Sequence, residues 1–346
     1  MKHQTTRYGE IPFYKIGTFG NTADAFISKK LFLEYKTKYS FPKKGDILIS
    51  ASGTIGRAVI YDGKPAYFQD SNIVWIDNDE TLVKNDFLFY TYSHVKWNTE
   101  HTTILRLYND NFRNTLIPLP PLNEQSAIAD ILSGLDRYLH ALDSLILKKE
   151  SVKKALSFEL LSQRKRLKGF NQAWQKVRLG DIANYLTSNL STEQITQQGK
   201  IKVYDVNNFI GYTDTTFISD KPYISIVKDG SVGRVRILPP KTNILSTMGA
   251  LIANHRTTTE FLFYLLSNFD FKNFTSGSII PHIYFKDYKE KTIFLPPLNE
   301  QSAIANILSD LDNEITSLKN KKRQFENIKK ALNHDLMSAK IRVLKK

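Results

Sequence analysis

The strongest constraint on this chain is a string that occurs twice. Leu119-Pro120-Pro121-Leu122-Asn123-Glu124-Gln125-Ser126-Ala127-Ile128-Ala129 returns letter for letter from Leu295 to Ala305, an offset of 176 residues. Agreement continues with Ile131-Leu132-Ser133 against Ile307-Leu308-Ser309, and Lys153-Lys154-Ala155-Leu156 against Lys329-Lys330-Ala331-Leu332. Eleven identical residues at one offset are not coincidence. Two copies are too few for a solenoid, which needs about three units to bury a continuous core. Ahead of each block the likeness is weaker: Gly53-Thr54-Ile55-Gly56-Arg57 answers Gly230-Ser231-Val232-Gly233-Arg234, and Phe87-Leu88-Phe89-Tyr90 answers Phe261-Leu262-Phe263-Tyr264. The layout is a diverged domain (1–118), a shared segment (119–170), a second diverged domain (171–294) and a second shared segment (295–346).

The shared segments predict long helices. Pro120-Pro121 and Pro296-Pro297 stop what precedes them, and Asn123 and Asn299 are suitable N-caps, each followed by a glutamate that suits the helix dipole. From there to about Leu167 and about Leu344 there is no proline, and the one glycine is Gly134. Apolar residues fall at heptad spacing: Leu135, Leu142 and Leu156 in one row with Ile131, Leu145 and Val152 in the other, then Leu311, Leu318, Phe325 and Leu332 with Ile307 and Ile328. Such spacing, interrupted by Lys149, Glu314 and Lys321, points to a coiled coil of two antiparallel helices. Antiparallel pairing relates the halves by a pseudo-two-fold axis, because each helix follows a domain of the same type.

The diverged domains read as mixed α/β (α+β). Ile11 to Ile16 is strand-like, and residues 45–50 and 58–61 flank a Gly53–Gly56 turn as a hairpin, followed by a short helix over 86–92. The second domain repeats this with strands at 201–206, 223–227 and 235–238 and a helix at 259–267.

Composition then narrows the function. The chain has no cysteine, which removes disulfides, thiolate metal sites and a catalytic thiol. No apolar run approaches the ~18 residues of a membrane span, and no apolar leader opens the chain, so a soluble, cytoplasmic protein is expected. Lys plus Arg outnumber Asp plus Glu by 48 to 34, a formal charge of +14 spread along the chain rather than gathered in a tail. With 12% aromatics beside that charge, the suspected partner is a folded polyanion such as DNA. There is no P-loop and no dinucleotide fingerprint. The Pro-Pro pairs sit in Leu-Pro-Pro-Leu, without the polar group and stacking aromatic of an amino-methyltransferase motif. The histidines, among them His94, His101, His255, His282 and His334, lack metal-ligand spacing. A non-catalytic chain without metal or cofactor is expected.

Side chains that contact phosphates and base edges are Arg, Lys, Asn, Gln, Ser and Thr, supported by aromatics. The first domain offers Ser50, Ser52, Thr54 and Arg57 at its hairpin and Arg106, Tyr108, Asn109, Asn111 and Arg113 before the Pro-Pro stop. The second offers Ser231 and Arg234, then Lys272, Asn273, Ser276, Ser278, His282 and Lys286. Each alone is an ordinary loop residue; as clusters in corresponding places of a repeat they are candidate DNA contacts.

The duplicated Leu-Pro-Pro-Leu-Asn-Glu-Gln, each followed by a long helix and preceded by a diverged domain, resembles the specificity subunits of type I restriction-modification systems. The Gly-Asp-Ile-Leu-Ile-Ser-x-Ser-Gly-Thr-Ile-Gly stretch at 45–56 fits their recognition domains too. The resemblance implies two target-recognition domains reading the halves of a bipartite DNA site through the major groove, with paired helices as a ruler between them. It implies two modification subunits, which bring S-adenosylmethionine, and through them ATP-driven restriction subunits. Two copies of one partner need two equivalent surfaces, so Asn123, Glu124, Gln125, Asn299, Glu300 and Gln301 are candidate partner contacts. The alternatives are a coiled-coil scaffold without DNA recognition, which would not need two diverged domains in one register, and a standalone methyltransferase, whose cofactor domain is not visible.

One departure stands out. The second domain opens with Trp174-Gln175-Lys176-Val177-Arg178-Leu179-Gly180-Asp181-Ile182, the family's usual lead-in. Gly9-Glu10-Ile11 aligns with Gly199-Lys200-Ile201, so the first domain begins at the equivalent of about residue 191. Three explanations are open: a start further upstream, a recombined gene, or completion of the domain by another chain.

Overall fold

The computed structural model describes residues 4–68, 72–97 and 106–344; His101 lies outside them. In chain order the elements are β1 (Ile11–Tyr14), β2 (Ala25–Ile27), α1 (Lys29–Lys38), β3 (Ile47–Ser50), β4 (Ala58–Ile60), β5 (Tyr67–Phe68), β6 (Ile73–Trp75), α2 (Asn85–His94), α3 (Asn109–Arg113) and α4 (Leu122–Leu161). They continue with β7 (Gln175–Arg178), β8 (Ala183–Thr187), β9 (Ile201–Tyr204), β10 (Phe209–Thr213), β11 (Tyr223–Val227), β12 (Val235–Leu238), β13 (Asn243–Ile244), β14 (Met248–Ala253) and α5 (Thr259–Ser267). The last are β15 (Thr275–Ser276), β16 (His282–Ile283), α6 (Phe285–Tyr288), β17 (Thr292–Leu295) and α7 (Leu298–Met337). The expected hairpin at 45–61, the strands near 11–16, 201–206, 223–227 and 235–238 and the helices near 86–92 and 259–267 are present; α1, α3, α6 and the strands β2, β5, β6, β8, β10 and β13 to β17 went unread.

Two compact units result: residues 1–143 with 320–346, and residues 144–319. The first unit holds the three-stranded sheets β2-β1-β5 and β4-β3-β6. The second holds their counterparts, β10-β9-β13 and β12-β11-β14, the latter extended by β8 along the free side of β14. It also pairs β17 with β7, Ile293 opposite Val177 and Leu295 opposite Gln175. In both units the central strand is buried throughout (β3 and β11), because a helix covers one face and the unit's other sheet packs against the other, Tyr14 and Phe68 near Leu48, Tyr204 and Ile244 near Tyr223. The covering helix α2 lays Leu88 and Tyr92 on β3 and turns Phe87 and Tyr90 to Ile128 and Leu132 of α4; α5 likewise buries Phe261 and Tyr264.

Each unit also contains an antiparallel pair of helical segments. In the first, Asp136 of α4 meets Lys329 of α7 and Asp143 meets Lys322, so one number rises as the other falls. In the second, Lys149 meets Glu314 and Lys153 meets Asp312. One heptad row, that of Leu135, Leu142 and Leu156, lies in the seam as expected. The other does not: Ile131, Leu145, Val152 and Ile328 are exposed. The buried row is one residue further on, with Leu132, Ile146 and Leu160 in α4 and Leu308, Ile315 and Leu336 in α7. The buried row is interrupted by lysines and the exposed row is apolar at these positions, so the 3.6-residue period alone does not pick the buried one. Lys153, Lys322 and Lys329 sit in that seam and are neutralised across it.

Both helices end earlier than about Leu167 and Leu344. Gln163 and Ala339, 176 residues apart, take left-handed backbone angles (φ 62° and 55°) that a helix cannot continue through. The Lys165 amide then donates to the Glu159 carbonyl at 3.1 Å and the Ile341 amide to Asp335 at 3.4 Å, closing the last turn. That reversal brings Arg166 and Arg342 back over the helix pair. At the other end, helices begin at Leu122 and Leu298, so Asn123 and Asn299 lie inside the first turn rather than at the cap. Pro121 accepts the first bonds, from Glu124 and Gln125, while the Asn123 and Asn299 side chains accept from the next amide at 2.9 Å.

Candidate nucleic-acid interface

The β3–β4 hairpin closes through Ser50. Its buried hydroxyl donates to the Thr54 carbonyl and accepts from the Arg57 amide, so Ser50 builds the turn and is not available to a duplex, contrary to expectation. Gly56 is required here: φ is 81°, and a Cβ would enter the Trp97 ring. The equivalent Gly233, φ 82°, lies against Phe271 in the same way. An aromatic thus props each turn from beneath.

What the turn presents is shaped by a second contact. Ser52 forms a bridge with Arg106, and the Leu107 amide donates to Ala51 at 2.8 Å. Ser52 also donates to Asn72 Oδ1 at 2.9 Å, and Arg106 lies 6.0 Å from the ring of Tyr108. Thr54, Arg57, Tyr108, Asn109 and Arg113 are exposed around this junction. The Arg57 guanidinium is anchored on the Phe19 carbonyl at 2.9 Å, Arg113 pairs with Asp110, and the Asn111 side chain accepts from the Tyr108 amide.

The second unit repeats the junction with different side chains. Asp229 bridges His282, the Gly230 amide donates to Pro281 and the Ile283 amide to Lys228, both at 2.9 Å. His282 Nδ1 lies 2.6 Å from Asp229 Oδ1. Ser276 faces His282 across β15–β16, and Ser278 sits at the tip beside Ile279, which is 93% exposed. Ser231, Lys272 and Asn273 are exposed; Arg234 is tied to Asn207 at 2.7 Å and Lys286 covers the Tyr284 ring at 5.5 Å. The structure brings the two parts of each candidate cluster, far apart in sequence, to one place in each unit.

The candidate partner residues have another role. Glu124, Gln125, Glu300 and Gln301 are buried, so an assembling subunit cannot reach them. Glu124 takes the fork of Arg342, Nε at 2.7 Å from Oε1. Glu300 takes that of Arg166, Nη2 at 2.6 Å, plus the indole N–H of Trp174 at 2.9 Å. Gln125 donates to the carbonyls of Leu82 and Pro120 and accepts from the Lys84 amide; Gln301 does the same with Arg256, Pro296 and Thr258. Tyr90 donates to Asp136 and Tyr264 to Asp312, at 2.8 and 2.9 Å. Burial first, then the neighbouring carboxylate, raises both phenols well above their usual range. The repeated block is a bracket that fastens each domain to the helices beside it. Its missed members, Arg166 and Arg342, were visible at the same 176-residue offset. Asn123 and Asn299 remain exposed.

The Arg342 guanidinium, by hydrogen bond and then by charge, holds the Glu124 carboxyl below its usual 4.5. Among the described residues no group of three side chains could hold a metal, and no helix is long and apolar enough to cross a membrane.

Comparison with known proteins agrees with this duplicated architecture. A family profile described as a type I restriction modification DNA specificity domain matches residues 1–149 and again 171–327. A putative type I restriction enzyme specificity subunit of Haemophilus influenzae is 63% identical over 137 residues, 39% of this chain and 36% of that protein's length. The putative MjaX specificity subunit of Methanocaldococcus jannaschii is 29% identical over 335 residues, covering 86% of this chain and 79% of its own. Among solved structures, the S subunit of the M. genitalium type I system superposes with a TM-score of 0.63 at 20% identity, over 97% of this chain and 91% of that one. A duplicated profile falling on the two repeats, with hairpin junctions and brackets in matching places, leads to one conclusion: the chain belongs to the family of type I restriction-modification specificity subunits.

Proposed function

We propose that residues 1–118 and 171–294 are target-recognition domains, each reading one half of a bipartite DNA site, and that the helical segments 119–170 and 295–346 set the gap between the halves. The observation that carries this is the matched pair of junctions: turn 51–57 on Arg106-Leu107 and turn 228–234 on Pro281-Ile283. They share backbone contacts while differing in the side chains they expose. A common scaffold with different exposed groups suits two different base sequences. Thr54, Arg57, Tyr108 and Arg113 in one domain, and Ser231, Lys272, Ser278 and His282 in the other, are the groups placed to touch DNA. The chain itself performs no catalysis. Two modification subunits supply S-adenosylmethionine and the methyl transfer, and ATP-driven restriction subunits join through them.

The modification subunits bind the exposed heptad row rather than the buried glutamates. Ile131, Leu145 and Val152 on α4 and Ile328 on α7 are apolar side chains left in solvent along the helices, the kind of surface a partner covers. Exchanging 171–294 for the corresponding domain of another family member tests the whole reading. Binding by the assembled complex should change at one half-site, with the other half and the gap unaltered. A change at both halves, or none, overturns it. Because α4 ends at Leu161, the insertion that tests the gap lies inside the helix: two to four residues near 144–150 should lengthen it by one to two base pairs, since each helical residue adds about 1.5 Å and a base pair spans about 3.4 Å.

A further inference from the structure

Among the polar groups of the second junction stands an apolar one. The β15–β16 ribbon turns through Gly277-Ser278-Ile279-Ile280-Pro281, and Ile279 at its tip is 93% exposed, with Ile280 beside it at 55%. Single apolar side chains are common on protein surfaces. Two in succession, at the tip of a tied-down ribbon flanked by cations, are a different matter. The tip is held on both sides. Across the ribbon Ser276 pairs with His282 and Thr275 with Ile283. On its other side β16 is bonded to the β11–β12 turn, the Gly230 amide donating to Pro281 and the Ile283 amide to Lys228, both at 2.9 Å.

The turn itself is tight. Gly277 has φ 88°, and a Cβ there would collide with the Ile280 carbonyl oxygen. Pro281 fixes the backbone where the tip rejoins β16. Ile279 is β-branched and stiff at its first side-chain torsion, so it loses little freedom on touching a ligand. The flanks suit a polyanion. Lys272 precedes β15 and Lys286 follows β16, both exposed, and Arg234 is exposed on the neighbouring turn. The carboxylate at the ribbon's base, Asp229, is engaged by His282 at 2.6 Å and lies 3.8 Å from the Lys228 ammonium.

The chemistry of base edges narrows what such a side chain can meet. The major groove, about 12 Å wide, admits a two-stranded ribbon, and its base edges present hydrogen-bonding groups with one apolar exception, the 5-methyl group of thymine. We propose that the β15–β16 ribbon enters the major groove of the second half-site and that Ile279 is a specificity determinant there, packed on a thymine methyl. This rests on the recognition function proposed above and adds a requirement to it: the half-site read by residues 171–294 contains a thymine beneath the ribbon tip. At the same 176-residue offset the first domain has Thr103, which lies outside the described residues, so the isoleucine belongs to one half-site.

The test uses the complex assembled with its modification subunits, and duplexes carrying the bipartite site it selects from a randomised library. Domain exchange assigns one half of that site to residues 171–294. Uracil then replaces each thymine of that half in turn, which deletes a methyl and leaves every hydrogen-bonding group in place. At one position the replacement should weaken binding about fourfold, the worth of one buried methyl. Ile279→Ala, at an exposed position and checked for an unchanged melting temperature, should weaken binding to the thymine site at least as much. It should also lose the response to uracil at that position, so that both changes together cost no more than Ile279→Ala alone. Ile279→Val should keep the response. Uracil tolerated at every position, or a response that persists in Ile279→Ala, overturns the inference and leaves the bipartite reading standing. Failure of the complex to select a bipartite site overturns both.

Discussion

The two units use the same bracket with unequal completeness. In the second, Glu300 is fully buried under Arg166 and Trp174, and Leu295 is sealed beneath β7. In the first, Glu124 is held by Arg342 and the Val343 amide, with no indole beside it, and Leu119 stands in solvent. Identical sequence blocks therefore carry different burdens, because the environment of a buried charge sets its worth. A carboxylate sealed from solvent is left as an uncompensated buried charge when its cation is removed.

The largest expected effect follows directly. Arg166→Ala leaves Glu300 buried and short of its cation, at a cost of about 3–5 kcal/mol to the second unit. Arg342→Ala, which removes a half-exposed guanidinium and leaves Glu124 the Val343 amide, should cost the first unit distinctly less. Urea melts followed by local hydrogen exchange around residues 300 and 124 separate the two, and equal losses would break the comparison. Next are the phenols. Tyr90→Phe and Tyr264→Phe each delete a bond to a carboxylate worth about 1.5–3 kcal/mol, and should cost the same in both units, because Lys329 and Lys153 complete the two sites alike. Gly56→Ala and Gly233→Ala test the propped turns. Each forces a left-handed alanine against an aromatic, at about 1–3 kcal/mol, and should lower DNA binding at one half-site only.

The smallest effect is one of acidity. The folded-state pKa of Glu124 lies below its ordinary value of 4.5, so the Arg342 contact contributes fully above that pH. Its contribution is lost as pH falls from 4.5 through the lowered value, when the proton binds more readily to the unfolded chain. The melting temperature of the first unit should therefore fall more steeply below pH 4.5 in the unaltered chain than in Glu124→Gln. Parallel slopes would show that the pair carries no pH-dependent stability.

Much of the architecture was legible because it was written twice. The 176-residue offset located the helices, and glycine pairs at corresponding positions located both hairpin turns. The seam was misread by one residue, since Ile131 and Leu132 are equally apolar and only the opposing helix selects between them. Glu124 and Glu300 were misread for a related reason. A glutamate that recurs in a repeat looks the same whether it faces a partner subunit or an arginine of its own chain 218 or 134 residues away. Ser50 looked like a groove reader because serine types do not say whether the hydroxyl is already engaged in a turn.

By itself, then, the sequence determined the duplication, the helical segments behind the Pro-Pro stops, the mixed α/β character of the diverged domains and the even spread of positive charge. Those properties are local, or repeat at one spacing, and backbone preference and hydrophobic periodicity act over just such ranges. Tertiary structure alone decided which heptad row is buried, and that Arg106 meets Ser52 as His282 meets Asp229. It alone turned a repeated glutamate into a bracket and left Leu119 without a cover. Each of those outcomes depends on a contact between residues far apart in the chain, where burial and the pairing of charge act on whatever the fold brings together.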